Sequence, residues 1–356
     1  MEKNKTKKNK VLMAGNEAMA EAAIRAGCGF YAGYPITPQN ELIAYMAKKM
    51  KPRNRVFVQA ESELAAINMV FGASAAGVRA MTSSSSPGIS LKQEGISYLA
   101  GASLPAVIIN VMRGGPGLGS IESSQSDYFQ ATRGGGHGDY FTLTLAPWSV
   151  DEAARLVMLA FDLADYYRNP TLILADAIIG QMMEPVELIL RKEFKKKIPK
   201  KNWALTGAKG RSPNIIRSFF LKEGLLETYN EYLRKKWNNI RKNEQRFSTY
   251  KTDKNKYLIV AYGSQARIVR EAVDILRKEN IKVGLFRPIS LWPYPEKGLK
   301  RLAKGVKKVV VVEQSLGQMV EDVKLALPGK EVVFLGKAGG GIPQAKEIIN
   351  LIKRNR

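Results

Sequence analysis

The chain has 356 residues, 45% apolar and 25% charged, and its 56 Lys and Arg against 32 Asp and Glu leave a formal charge of +24. That length suits two domains of ordinary size, and no apolar run approaches the roughly 20 residues that span a bilayer, so no membrane partner is expected. One cysteine, Cys28, and one histidine, His137, exclude internal disulfides, a four-cysteine iron–sulfur cluster and a multi-histidine metal site within the chain. Set among Ala, Gly and Phe, Cys28 reads as a small buried hydrophobe. The positive charge would attract an acidic partner such as a small electron carrier, although a solvated lysine-rich surface is the commoner cause. Nucleic-acid binding is disfavoured, because the lysines lack interleaved aromatics and no zinc or helix-turn-helix pattern accompanies them.

In chain order, residues 1–10 form a basic arm without the apolar core of a signal peptide, and a cytoplasmic location is expected. From Val11 to about Glu187, strand-like and helix-like segments alternate at the spacing of βαβ units, which predicts an α/β domain over 11–190: a parallel sheet with helices on both faces. Strands are expected at Arg55–Gln59, Ala80–Ser83, Ala106–Val111 and Thr171–Asp176, and helices at Glu17–Ala26, Pro38–Lys49, Ser62–Ala76 and Val150–Tyr167. Residues 191–256 are dense in Lys, Arg, Asn and Trp and read as a charged connector, with helical periodicity over Phe219–Arg246. Its packing, on a neighbouring subunit or on its own domain, stays open. A second α/β domain over 257–356 carries strands at Tyr257–Ala261, Lys282–Phe286, Val309–Glu313 and Glu331–Leu335.

In open α/β sheets ligands gather at the carboxyl ends of the strands, so the residues after each strand are the candidates for chemistry. The strand Arg55–Gln59 runs through Ala60, Glu61, Ser62 and Glu63 into an apolar helix. Ser62 suits the N-cap and the acids suit the helix dipole, while the alternative is that one acid faces a basic heterocycle. Periodicity does not choose between Glu61 and Glu63. The strand Ala106–Val111 leads to Arg113 and a glycine-rich turn, where a guanidinium either grips a ligand carboxylate or pairs with a local acid. The turn lacks the lysine of a P-loop. Thr37, between two prolines, reads as a helix cap or a ligand hydroxyl. Residues 82–88 are a run of hydroxyls ending in Pro-Gly, fit for a phosphate, a carboxylate or a plain polar loop. The polar, glycine-rich stretch 123–139 reads as a functional loop, in which His137 is more often a surface contact than a catalyst.

Taken together and in order, GNEAMAEAAIRAGC, GYPITPQ, QAESELAAINMVFGA, TSSSSPGISLKQEGISYLAG, VMRGGPGLG and SQSDYFQATRGGGHGDY resemble the alpha-type subunit of the 2-oxoacid:ferredoxin oxidoreductases, most closely the branched-chain 2-oxoacid (2-oxoisovalerate) type. The resemblance covers most of the chain, and residues 257–356 resemble the transketolase C-terminal domain. It implies a module that binds the aminopyrimidine end of thiamine diphosphate, with Glu63 at the ring nitrogen and Tyr34, Pro35, Ile36, Ser85 and Gly88 also against the cofactor. It implies that Thr37 and Arg113 hold the 2-oxoacid, which is oxidatively decarboxylated to an acyl-coenzyme A with ferredoxin as electron acceptor. The family's Gly-Asp-Gly motif for the diphosphate and Mg²⁺ is missing from this sequence. By that resemblance a beta-type subunit supplies the metal–diphosphate site, and gamma-type and ferredoxin-like delta-type subunits complete the complex, its 4Fe-4S clusters lying in partners. The side-chain pocket is not legible, so 2-oxoglutarate or pyruvate remains an alternative substrate, and a non-catalytic basic scaffold or nucleic-acid-binding module is the alternative of another class.

Overall fold

In chain order the computed structural model contains β1 (Val11–Ala14), α1 (Gly15–Arg25), β2 (Phe30–Gly33), α2 (Asn40–Met50), β3 (Val56–Gln59), α3 (Glu63–Ala75), β4 (Ala80–Ser84), α4 (Ser86–Gly101), β5 (Val107–Met112), α5 (Tyr128–Arg133), β6 (Leu143–Leu145), α6 (Val150–Tyr167), β7 (Thr171–Asp176), α7 (Ala177–Gln181) and β8 (Met183–Val186). There follow α8 (Leu225–Asn243), β9 (Phe247–Tyr250), β10 (Tyr257–Val260), α9 (Gln265–Lys278), β11 (Val283–Pro288), β12 (Ser290–Trp292), α10 (Glu296–Ala303), β13 (Lys308–Glu313), α11 (Met319–Ala326), β14 (Val332–Gly336) and α12 (Ala345–Arg354). The structure describes residues 10–188 and 193–354; the basic arm, but for Lys10, and residues 191–192 of the connector lie outside them.

A seven-stranded sheet has the order β12-β6-β7-β5-β4-β2-β3 and is parallel except at β12. Helix α1 packs on both α2 and α6, and α3 packs on α4. β4, β5 and β7 are buried along their whole length, which is why they read as unbroken apolar or small-residue runs rather than alternating ones. A five-stranded sheet has the order β14-β13-β10-β11-β9, with β9 antiparallel. Alternation across its strands divides the core. Leu258 and Val260, with Val309 and Val311, join the core of the first sheet, whereas Tyr257 and Ile259, with Val310 and Val312, face a second core that includes α9 and α12.

The two sheets are interlocked by strands. β9, from the stretch read as a connector, belongs to the second sheet, and β12, which follows the second sheet's β11, pairs antiparallel with β6 of the first. Trp292 of β12 stacks on Phe141 with ring centroids 4.7 Å apart. The connector helix α8 packs inward through Leu233, Trp237 and Ile240, which settles the open question for that face: it lies on its own chain. Among the described residues no helix is long and apolar enough to cross a membrane.

Candidate active site

The carboxyl ends of β2, β3, β4 and β5 converge on one edge of the first sheet. After β3 the chain turns at Ala60 and enters α3, where Ser62 Oγ accepts the Ala65 N–H at 3.1 Å as an N-cap. This corner separates the two acids: Glu61 stands exposed, while Glu63 turns inward and is 5% exposed. Gly88, in the first turn of α4, lies against it. A Cβ on Gly88 would sit 2.1 Å from Ser84 Oγ and 2.5 Å from Glu63 Oε1, so only glycine lets the two helix starts approach with the carboxylate between them. About two helical turns further on, Gly95 makes a similar close approach to Ile67 of α3.

That approach also buries Lys92 of α4, whose Nζ donates to the Glu63 carbonyl oxygen at 3.2 Å. Burial lowers the Lys92 ammonium to about 8, and the negative charge of Glu63 opposes that fall. Nothing in the sequence marked Lys92, because a lysine on a helix is ordinarily a surface residue; its burial comes from the pair of glycines.

Arg113, at the end of β5, is 7% exposed. Its Nη1 donates to the Thr37 carbonyl and its Nη2 to the Leu118 carbonyl, both at 2.9 Å, so it clasps the proline turn and the glycine-rich turn together. Among the described residues it makes no ion pair, and its buried Nε has no acceptor. Thr37 Oγ1 accepts from Asn40 Nδ2 at 3.2 Å, which leaves its own proton available for donation. Ser86 Oγ donates to Asp127 Oδ2 at 2.5 Å and accepts the Arg113 N–H at 3.0 Å, and Asn110 Nδ2 donates to the same carboxylate at 2.9 Å. Burial raises the Asp127 carboxyl, and the bonds from Ser86 and Asn110 lower it.

Several polar groups at this edge lack partners. The hydroxyls of Thr82, Ser84 and Ser85 are buried without a hydrogen bond, and the Glu63 carboxylate accepts none from the described residues. A buried polar group left unpaired costs about 1–3 kcal/mol, so such a cluster marks a ligand-binding surface better than polar composition does. The set fits an aminopyrimidine ring: a buried carboxylate for a ring N–H, and unpaired hydroxyls that donate or accept. Tyr34 and Pro35 stand exposed on the turn beside Thr37, with Ile36 half-buried.

Cys28 and His137 lie outside this cluster, in keeping with their reading from the sequence as a buried hydrophobe and a surface contact. Cys28 is buried, its Sγ–H donates to the Phe30 carbonyl at 3.3 Å, and burial pushes the thiol up to about 12, which makes it inert. His137 is exposed and engages through its backbone, accepting from Ser97 Oγ at 2.6 Å. The loop 123–139 divides in function: Asp127 turns toward the Arg113 turn, while Ser123, Ser124 and Gln125 bond to the second sheet.

Comparison with known proteins matches these features to a family. Residues 21–247 match the profile described as pyruvate flavodoxin/ferredoxin oxidoreductase, thiamine diP-binding, and residues 255–348 match pyruvate:ferredoxin oxidoreductase core domain II. The ketoisovalerate oxidoreductase subunit VorB of Methanothermobacter marburgensis is 47% identical over 96% of this chain and 97% of its own length. The 2-oxoglutarate synthase subunit KorA of Methanocaldococcus jannaschii is 36% identical over 94% of this chain and 97% of its own. Among solved structures, the 2-oxoglutarate:ferredoxin oxidoreductase of Magnetococcus marinus superposes with a TM-score of 0.87 at 27% identity; the match covers 98% of this chain and 65% of that one. A split-gene transketolase, with a TM-score of 0.59 at 16% identity over 96% of this chain and 97% of that one, shares the fold. The unpaired carboxylate edge thus lies within a thiamine-diphosphate-binding module, and the chain belongs to the 2-oxoacid:ferredoxin oxidoreductase family, as an enzyme subunit.

Proposed function

We propose that this subunit acts on a branched-chain 2-oxoacid, 2-oxoisovalerate in type, converting it to acyl-coenzyme A with reduction of ferredoxin in a cytoplasmic heteromeric complex. The observation that carries the reading is the buried Glu63 carboxylate, which accepts no hydrogen bond from the described residues and packs against Gly88 beside the unpaired hydroxyls of Ser84 and Ser85. Bound thiamine diphosphate supplies the nucleophilic carbon and the electron sink for decarboxylation. Glu63 holds and exchanges a proton at the pyrimidine ring nitrogen, beside the cation of Lys92. Ser85 and Gly88 seat the ring, and Tyr34, Pro35 and Ile36 close its rim. Arg113 binds the substrate carboxylate with the N–H groups its two carbonyl contacts leave free, and Thr37 donates its hydroxyl to the keto oxygen.

We read residues 11–190 as the pyrimidine module and 257–356 as the transketolase C-terminal-like unit. The diphosphate and Mg²⁺ belong, on this reading, to a beta-type subunit, since no Gly-Asp-Gly occurs in the chain, and gamma- and delta-type partners carry 4Fe-4S clusters. Support for docking comes from large apolar side chains exposed near the site: Leu64 at 46%, Leu91 at 56%, Leu118 at 80% and Ile121 at 63%. The test is purification of the native complex, identification of its subunits and bound coenzyme by mass, and assay of viologen reduction with three 2-oxoacids. A kcat/KM for 2-oxoisovalerate at least tenfold above that for 2-oxoglutarate and pyruvate is expected. A preference for 2-oxoglutarate, the 2-oxoacid in the name of the 36% identical relative, would replace the branched-chain reading and leave the role of Glu63 standing.

A further inference from the structure

At the opposite edge of the seven-stranded sheet, where β5 and β7 begin, the connector covers a cavity of about 400 Å³, within the roughly 300–1,000 Å³ usual for small-molecule sites. The lining is cationic in part. Arg168, which ends α6, and Arg217 both belong to it, and no carboxylate does. The lining is also aromatic: Tyr229 stacks on Tyr232 with centroids 5.7 Å apart, and Phe220 leans on Tyr229 at 5.0 Å. A third cation, Lys236, stands behind them, with Nζ donating to Ser103 Oγ at 3.1 Å and to the Arg168 carbonyl at 3.0 Å.

Helix capping explains part of this arrangement. Lys236 satisfies the carbonyl at the end of α6, and Arg168 Nε donates to the Ser103 carbonyl just past α4, at 3.1 Å. Capping and the aromatic rings beneath Arg168, Arg217 and Lys236 hold these cations in place but do not neutralise them, and among the described residues no carboxylate lines the cavity. Burial lowers Arg168, with the Tyr232 and Tyr229 phenols opposing that fall, and it lowers Lys236 to about 7, with Arg168 adding to it; among the described residues no carboxylate acts on either. Both Ser103 and Arg168 also hold left-handed backbone, with φ of 52° and 50°, a conformation that costs non-glycine residues energy and is kept where the surroundings require it. The guanidinium of Arg217 lies over the Phe220 ring at 4.9 Å and that of Arg168 over the Trp203 ring at 4.6 Å, so cations and rings adjoin in one cavity, which matches a ligand with a negative group beside a planar ring.

We propose that this cavity binds a nucleoside phosphate, its base stacked on Tyr229 and Tyr232 and its phosphate held by Arg168 and Arg217. The site lies at the amino ends of the strands, away from Glu63 and Arg113 at their carboxyl ends, and stands independently of the proposed reaction.

The test is calorimetric titration of the intact complex with ADP, adenosine and inorganic phosphate, with coenzyme A present at saturation to cover its own site. One saturable ADP site per chain is expected, with adenosine and phosphate each bound at least about tenfold more weakly, since each offers only one half of the recognition. Arg217→Gln, at an exposed side chain, should weaken ADP about tenfold and leave 2-oxoacid turnover unchanged. Arg168→Gln should do the same, and Arg217→Gln keeps the test decisive if Arg168→Gln impairs folding. Absence of saturable ADP binding, binding that both variants leave intact, loss of ADP binding to coenzyme A, or equal binding of an unstructured polyanion that vanishes with salt would each overturn the proposal.

Discussion

Arg113 and Arg287 are both buried arginines near strand ends, one in each sheet, and their surroundings differ completely. Arg287 is held by Glu152 through two bonds of 2.8 Å and by Ser248 Oγ at 2.9 Å, and its guanidinium lies 4.5 Å from the Trp148 ring. Arg113 touches two carbonyls and, among the described residues, no acid. The same contrast runs along both edges. In the second sheet Glu313 accepts from Ser315 Oγ and from the N–H groups of Gln318, Met319 and Val320, and Gln314 bonds to Gln125, Ser123 and Ser264. In the first sheet the hydroxyls of Thr82, Ser84 and Ser85 have no partner among the described residues. Both edges are polar, as strand ends usually are, so polarity alone does not tell a docking surface from a site. Hydrogen-bond satisfaction does.

The largest effect expected is at Glu63. Glu63→Gln keeps the shape and loses the proton exchange, so 2-oxoacid-dependent viologen reduction should fall by about 10²–10⁴-fold while the complex assembles normally. The arginine pair should separate cleanly. Arg287→Ala strips a buried carboxylate of its partner and should cost about 3–5 kcal/mol in chemical unfolding, with KM unchanged. Arg113→Ala should instead raise KM for the 2-oxoacid by roughly 100-fold, the loss of a charge-assisted pair, with a smaller change in stability.

Lys92 makes a pH-dependent contribution. Its ammonium titrates at about 8 in the folded chain and near 10.5 when unfolded, so between those values the unfolded chain binds more protons and stability rises with pH. Below about 8 the full cost of the buried charge is present. Lys92→Met should therefore remove a rise on the order of 3 kcal/mol across that window, leaving the similar slope from Lys236, which begins at about 7. The smallest effect is at the sealed junction: Gln314→Ala, which strands Ser123 and Ser264, should cost about 2 kcal/mol in urea unfolding without altering KM.

Much of the fold was legible because it is built from local signals. The cap at Ser62, the apolar strands Val107–Met112 and Thr171–Asp176, and the second α/β pattern from Tyr257 all follow from residue type and period. The resemblance selected Glu63 over Glu61, whereas periodicity did not, since α3 is apolar around much of its circumference. What escaped is long-range. β12 is three residues long and pairs with β6 across some 145 positions of chain, and Gln125 meets Gln314 across 189, contacts no local pattern encodes. The loop 123–139 read as functional for its polarity, yet Ser123 and Gln125 spend that polarity on joining the two sheets.

A structure of the assembled complex with thiamine diphosphate bound tests the central claim most directly. A Glu63 carboxylate oxygen within about 2.6–3.2 Å of the pyrimidine ring nitrogen, with the phosphates held by another polypeptide, is the expected result. A coenzyme lodged wholly outside this subunit, or a Glu63 side chain turned to solvent, would contradict it.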